Sequence, residues 1–153
     1  MEAGNRRRCS RAEEENKALL RRSVEEVFSA QGNVDVADEI FAPDYIGMNP
    51  TEPQDVRGPE GVKELANMYR SAFPDVRLII EEQVAEGDKV VTRWIAYGTH
   101  QGEMMGIAPT GNQVRVEGIT ISHIQEGKIV QEWELFDTLG LMQQLGAAPT
   151  PNA

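Results

Sequence analysis

The sequence predicts an α+β fold: a curved, mostly antiparallel sheet packed with N-terminal helices into a cone with an internal pocket. Three observations carry this expectation. Up to Pro74 the apolar residues recur with the 3.6-residue period of helices, and from Asp75 onward they alternate with period 2. Short glycine-bearing turns, Glu86-Gly87-Asp88 and Glu126-Gly127, join neighbouring strand segments as in an antiparallel meander. Those segments run nine to twelve residues, against a usual length of about five or six, and long strands under a layer of helices curve enough to leave a pocket.

Each element has its own local signal. Ser10-Arg11-Ala12-Glu13 has the spacing of a capping box and opens a helix whose stripe is Leu20, Val24, Val27 and Phe28. It ends near Gln31-Gly32-Asn33, with Gly32 suited to the left-handed position beyond a helix. Asn33 or Asp35 caps a short second helix carrying Ala37, Ile40 and Phe41, which Pro43 stops; Tyr45-Ile46 is a brief extended piece. After the polar loop Asn49–Asp55, Gly58-Pro59-Glu60 starts a third helix with the stripe Val62, Leu65, Tyr69, Ala72 and Phe73. Four strands are then expected at Val76–Val84, Lys89–His100, Gln113–Ile124 and Lys128–Asp137, followed by a helix over Leu139–Leu145. The connection Gln101–Asn112 is long enough to cover an opening.

A length of 153 residues with 40% apolar and 26% charged residues describes one globular domain, placed at 11–146 between a disordered basic tail (1–10) and a disordered tail (147–153). The net charge is −10, and the first eleven residues hold four arginines against one glutamate, so the rest of the chain carries −13. Such a surface repels phosphate backbones and anionic lipids, which argues against nucleic-acid or membrane partners. No apolar run is long enough to span a bilayer, and the N-terminal tail lacks the apolar core of a signal peptide. Cys9 is the single cysteine, as suits a reducing cytoplasm. Two histidines and one tail cysteine cannot build a His- or Cys-rich metal site, and no phosphate-binding glycine loop or G-x-S-x-G elbow is present. No metal or cofactor is therefore expected.

The chemistry is sought in the last hairpin, Gly118 to Gly146. A three-residue loop with Gly127 left-handed pairs Ile124 with Lys128, and hence Thr120 with Glu132. Thr120 and Ser122 then share one face with Val130, Glu132 and Glu134, while Ile129, Trp133 and Asp137 lie on the other. Glu134 is a candidate general acid/base against a wall of Val116, Val130 and Thr120, or else a solvated edge-strand glutamate. Asp137 is a second candidate that equally suits an N-cap for the last helix. His100, at the mouth of the long loop, can polarise a carbonyl or hold the loop backbone. Phe28, Met68, Trp94 and Tyr97 are available with Thr120 to line a cavity for a small apolar molecule. Arg93, in an otherwise apolar strand, needs an anion such as Glu117 or Glu134 if it is covered.

Beyond these local signals, RGPEGVKELANMYRSAFPD, AEGDKVVTRWIAYGTHQGEMMGIAPTG and HIQEGKIVQEWELFDTLGLMQQLG resemble the SnoaL-like polyketide (ester) cyclase family, from about Asn16 to Gly146. The GTHxG segment, the G-x-x-PTG loop, the EGKI turn and the terminal QLG occur in order at family-like spacing. The resemblance implies the cone of the nuclear-transport-factor-2-like superfamily, often dimeric through its sheet, so a homodimer is expected. It also implies ring closure of an aromatic polyketide ester by an intramolecular aldol reaction without metal or cofactor. The family's last-strand aspartate falls on Glu134, and the histidine of the preceding strand falls on Thr120.

The expected function is thus cofactor-independent acid/base chemistry on a small apolar carbonyl or polyketide-like substrate, with Glu134 moving the proton and His100 or Asp137 assisting. Two alternatives stand beside it. One is a binding module that holds an apolar metabolite without converting it. The other is a hydrolase or dehydratase using a carboxylate pair in the same pocket.

Overall fold

A computed structural model describes residues 9–149. Helix α1 (Arg11–Arg22) begins with the expected capping box: Ser10 accepts from the Glu13 amide and Glu13 reaches back to Ser10. It widens into a π-helical stretch, Ser23–Phe28, and that wider turn carries Ser23, Val24 and Phe28 toward the interior. A short 3₁₀ turn (Val34–Val36) leads into α2 (Ala37–Ile40), then β1 (Phe41–Met48) and β2 (Val56–Arg57). The rest is α3 (Gly58–Ala72), β3 (Arg77–Glu86), β4 (Lys89–Thr99), β5 (Gln113–Gln125), β6 (Lys128–Phe136) and α4 (Thr138–Gln144). The expected tails fall mainly on residues 1–8 and 150–153, outside the described residues.

The six strands form one sheet in the order β2-β1-β6-β5-β4-β3. All pairings are antiparallel except β1 on β6. This corrects the reading of residues 41–48. Phe41 is not in the second helix but opens a strand, and the extended piece runs from Phe41 to Met48 rather than over Tyr45-Ile46 alone. Pro43 suggested a helix stop because it has no amide hydrogen to donate. The same property is met inside the strand: pairing lapses between Phe41↔Ile129 and Ile46↔Gln131, and the exposed Pro43 lies in that gap.

The last hairpin also differs from the expected register. Glu126 and Gly127 both have positive φ (51° and 74°), the signature of a two-residue type I′ turn, so Gln125 pairs with Lys128. A bulge follows at Val130, between His123↔Gln131 and Ile124↔Ile129. Turn and bulge together move the ladder by two residues, so Thr120 faces Glu134 and Ser122 faces Glu132. A two-residue displacement leaves side chains on their original faces, so Thr120, Ser122, Glu132 and Glu134 still share the inner one. Ile129, expected beside Trp133 outside, lies before the bulge and is fully buried.

Bulges in β6 and β3 and the gap in β1 bend the sheet over the helices. Two apolar clusters fill the concave side. One is built on Val27, Ile40, Phe41, Val62, Ile124 and Ile129, the other on Phe73, Val76, Met104, Val116, Leu141 and Leu145. The cavity lies between them, with walls drawn from both.

Candidate functional site

The cavity has a volume of about 140 Å³. Space of that order, with apolar walls, admits one aromatic ring. Its polarity is concentrated on β6. Inward positions on this strand alternate, so Glu132, Glu134 and Phe136 all face the cavity, while Gln131, Trp133 and Leu135 are exposed on the opposite face. β6 is an interior strand, flanked by β1 and β5, and this removes the solvated-edge reading of its glutamates.

The two carboxylates have different surroundings. Glu132 is fully hydrogen-bonded: Tyr45 Oη donates to one oxygen at 2.9 Å and Ser122 Oγ to the other at 2.5 Å. Burial pushes the Glu132 carboxyl up, and the Ser122 and Tyr45 hydroxyls draw it back toward the ionised form. Glu134 has no hydrogen-bond or ion-pair partner among the described residues. Burial, then the negative charge of Glu132, then that of Glu52 raise it from 4.5 to about 7. Tyr45 and Tyr69 are both raised, chiefly by burial and further by the nearby carboxylates.

Thr120 sits directly across from Glu134. Its Oγ1 accepts a hydrogen bond from Trp94 Nε1 at 3.0 Å. With that oxygen already accepting, the hydroxyl proton is free to point at a bound molecule. Gly118 makes the arrangement possible. It pairs with Trp94, and a Cβ placed on it would come within 2.3 Å of the indole ring.

The other candidates are placed as follows. Phe28, Trp94 and Thr120 line the cavity together with Glu134. Tyr97 borders it, but alternation along β4 turns its ring to the outer face, where Arg77 lies 5.1 Å from the ring centroid. Met68 does not: it is 47% exposed, because it lies about 100° around α3 from the inward Tyr69. Asp137 is exposed and caps α4, accepting from the Gly140 amide at 2.9 Å. His100 is fully buried but outside the cavity wall. Its Nδ1 accepts from the Thr110 amide at 3.2 Å and lies 3.0 Å from Thr110 Oγ1, so it ties down the loop between β4 and β5. That loop delivers Met104 to the cavity wall. Arg93 lies on the exposed outer face and pairs with Glu82 at 3.4 Å, not with Glu117 or Glu134. Among the described residues no group of three or more His, Cys, Asp or Glu side chains is arranged to hold a metal ion.

Tyr45, Ser122 and Glu52 escaped the sequence reading as site residues. Ser122 had a signal, since it shares the face of Thr120 by alternation. Tyr45 had none, because the parallel pairing that brings β1 to β6 leaves no local pattern.

A family model described as SnoaL-like polyketide cyclase matches residues 18–145. The chain is 35% identical to the aklanonic acid methyl ester cyclase of Streptomyces galilaeus over 84% of its own length and 89% of the relative's. It is 29% identical to the nogalonic acid methyl ester cyclase of Streptomyces nogalater over 75% of its own length and 87% of the relative's. A solved SnoaL-like polyketide cyclase from Jannaschia sp. CCS1 superposes with a TM-score of 0.84 at 26% identity, covering 93% of this chain and 99% of that one.

Proposed function

The chain belongs to the SnoaL-like polyketide cyclase family, and on that premise we propose that it closes a ring of a polyketide-type ester by an intramolecular aldol reaction in which Glu134 moves the proton. The observation that carries this reading is a single partnerless carboxylate in an apolar cavity, raised to about 7. A group that titrates near neutrality can both take and return a proton. As carboxylate, Glu134 removes a proton from the carbon next to a carbonyl. The enolate carbon attacks a second carbonyl of the same molecule, and the resulting alkoxide recovers the proton from Glu134. Thr120, held by Trp94, donates its hydroxyl to the enolate oxygen while charge develops there.

The cavity also bears on the substrate. Glu132 and Glu134 line it, Glu52 acts on Glu134, and among the described residues no Lys, Arg or His lines it. A free carboxylate is therefore disfavoured and a neutral ester accepted. A polycyclic substrate inserts its reacting ring and leaves the remainder in the mouth, since the enclosed space holds about one ring. Incubation with an aromatic polyketide methyl ester is expected to give a cyclised isomer of unchanged mass. The free acid is expected to react at least about tenfold more slowly. Recovery of the intact ester after prolonged incubation would support a binding module instead.

A homodimer through the outer sheet face is part of the same proposal. Val91, Ile121 and Trp133 face one another across β4, β5 and β6, as do Ile119 and Leu135, and all five are at least 36% exposed. A contiguous apolar row on a broad sheet suits a second copy of the same face. Sedimentation is expected to give twice the chain mass, and Ile121→Glu to give a monomer. We place this chemistry in the cytoplasm, the compartment that suits a free Cys9 thiol.

A further inference from the structure

Glu132 is the inward residue immediately before Glu134 on β6, yet the two differ in what holds them. Each oxygen of Glu132 accepts from a buried hydroxyl, one from the strand on either side: Tyr45 on β1 and Ser122 on β5. Ser122 lies directly opposite Glu132 in the β5–β6 ladder, and Gly47 opposite it in β1. A Cβ at Gly47 would come within 2.5 Å of Tyr45 Oη, so the glycine is what lets the phenol lie flat along its strand and reach the carboxylate. Two hydroxyl donors, one on each oxygen, suit an ionised carboxylate, and Glu134 has no such donor among the described residues.

We propose that Glu132 is a positioning residue, a buried anion clamped by Tyr45 and Ser122 that keeps the exchangeable proton of the cavity on Glu134. The inference rests on the reading of Glu134 as the proton carrier and says why that group and not its neighbour fills the role. Two carboxylates on adjacent inward positions do not ionise together at low cost, and the one with hydrogen-bond donors ionises first. The groups that act on Glu134 are few. Glu132 comes from its own strand, Glu52 from the loop after β1, Tyr45 from β1 and Tyr69 from α3. Trp94 and Thr120, which line the cavity from β4 and β5, carry no charge, and the Tyr97 ring is turned to the outer face beside Arg77. Burial and the two glutamates give Glu134 its raised titration, in keeping with this division.

The test follows the side-chain carboxyl carbons of ¹³C-labelled glutamate in the full-length, ligand-free chain through a pH titration. In the wild type Glu132 is expected to ionise before Glu134. Glu132→Gln is expected to lower the Glu134 midpoint by about one on the pH scale and to move the acid limb of the pH–rate profile by the same amount. Tyr45→Phe and Ser122→Ala, milder changes that keep Glu132, are expected to raise the Glu132 midpoint. A Glu134 midpoint unmoved by Glu132→Gln, or Glu132 ionising after Glu134 in the wild type, overturns the proposal. Because the titration needs no substrate, the proposal is separable from the catalytic reading: a Glu134→Gln variant with full turnover removes the latter and leaves the order of ionisation intact.

Discussion

Glu134→Gln is expected to lower turnover by about 10²–10⁴-fold, the range associated with loss of a general acid/base, without lowering the stability of the fold. Glutamine keeps the size and polarity of the protonated acid but can neither take nor return a proton. The stability half of the result follows from linkage. In the folded chain Glu134 titrates near 7, against an ordinary value of 4.5, so between these values the folded state holds more protons than the unfolded one. Stability therefore falls as pH rises from about 4.5 to about 7 and levels off above it, by about 3 kcal/mol in all. The glutamine variant lacks this loss. Its melting temperature is expected to match the wild type near pH 4 and to exceed it by several degrees at pH 8. Thermal unfolding of both proteins across that range, alongside turnover at saturating substrate, checks both halves. Unchanged turnover would falsify the assignment of Glu134, and a melting advantage absent at pH 8 would mean that the carboxylate is not desolvated as described.

Gly118→Val is expected to have the largest effect on stability, by displacing the wall of the cavity. Even a Cβ at this position comes within 2.3 Å of the Trp94 ring, which already packs on the β5 backbone. The indole cannot retreat without leaving its place over the sheet. Overpacking of this kind costs about 1–3 kcal/mol, and loss of the Trp94–Thr120 hydrogen bond adds about 1 kcal/mol. Gly118→Ala is expected to show the same direction with a smaller loss. Both variants are expected to lose turnover beyond their loss of stability, because Thr120 is no longer oriented. Denaturant titration measures the first effect, and turnover well below the melting point measures the second. A Gly118→Val variant as stable as the wild type would show that the indole is not confined there.

Much of the fold was legible because its signals are local. The switch from period 3.6 to period 2 near Pro74 separates the helices from the meander. The capping box at Ser10, the glycine turns and the Asp137 cap each depend on neighbours within a few residues. Glu134 and Thr120 could be put on one face for the same reason, since alternation along a strand survives an error of two in register. The register error was local, since Glu126 as well as Gly127 is left-handed, while the other failures come from contacts between distant segments. Residues 41–48 carry no strong strand period and include Pro43, so only the parallel contact with β6 makes them a strand. Met68 and Tyr69 look alike by composition, and only the orientation of α3 against the sheet decides which of them lines the cavity.

The sequence by itself determined the layer order, the family and the face on which the acid/base candidate lies, because periodicity, turn chemistry and motif spacing are properties of contiguous residues. Tertiary structure alone decided that Glu134 is the partnerless carboxylate and Glu132 the clamped one, that Asp137 is spent on a helix cap and His100 on a loop, and that Trp94 orients Thr120. Those outcomes turn on hydrogen-bond distances between residues up to 87 positions apart, and on burial, which changes the cost of a charge far more than its chemical identity does.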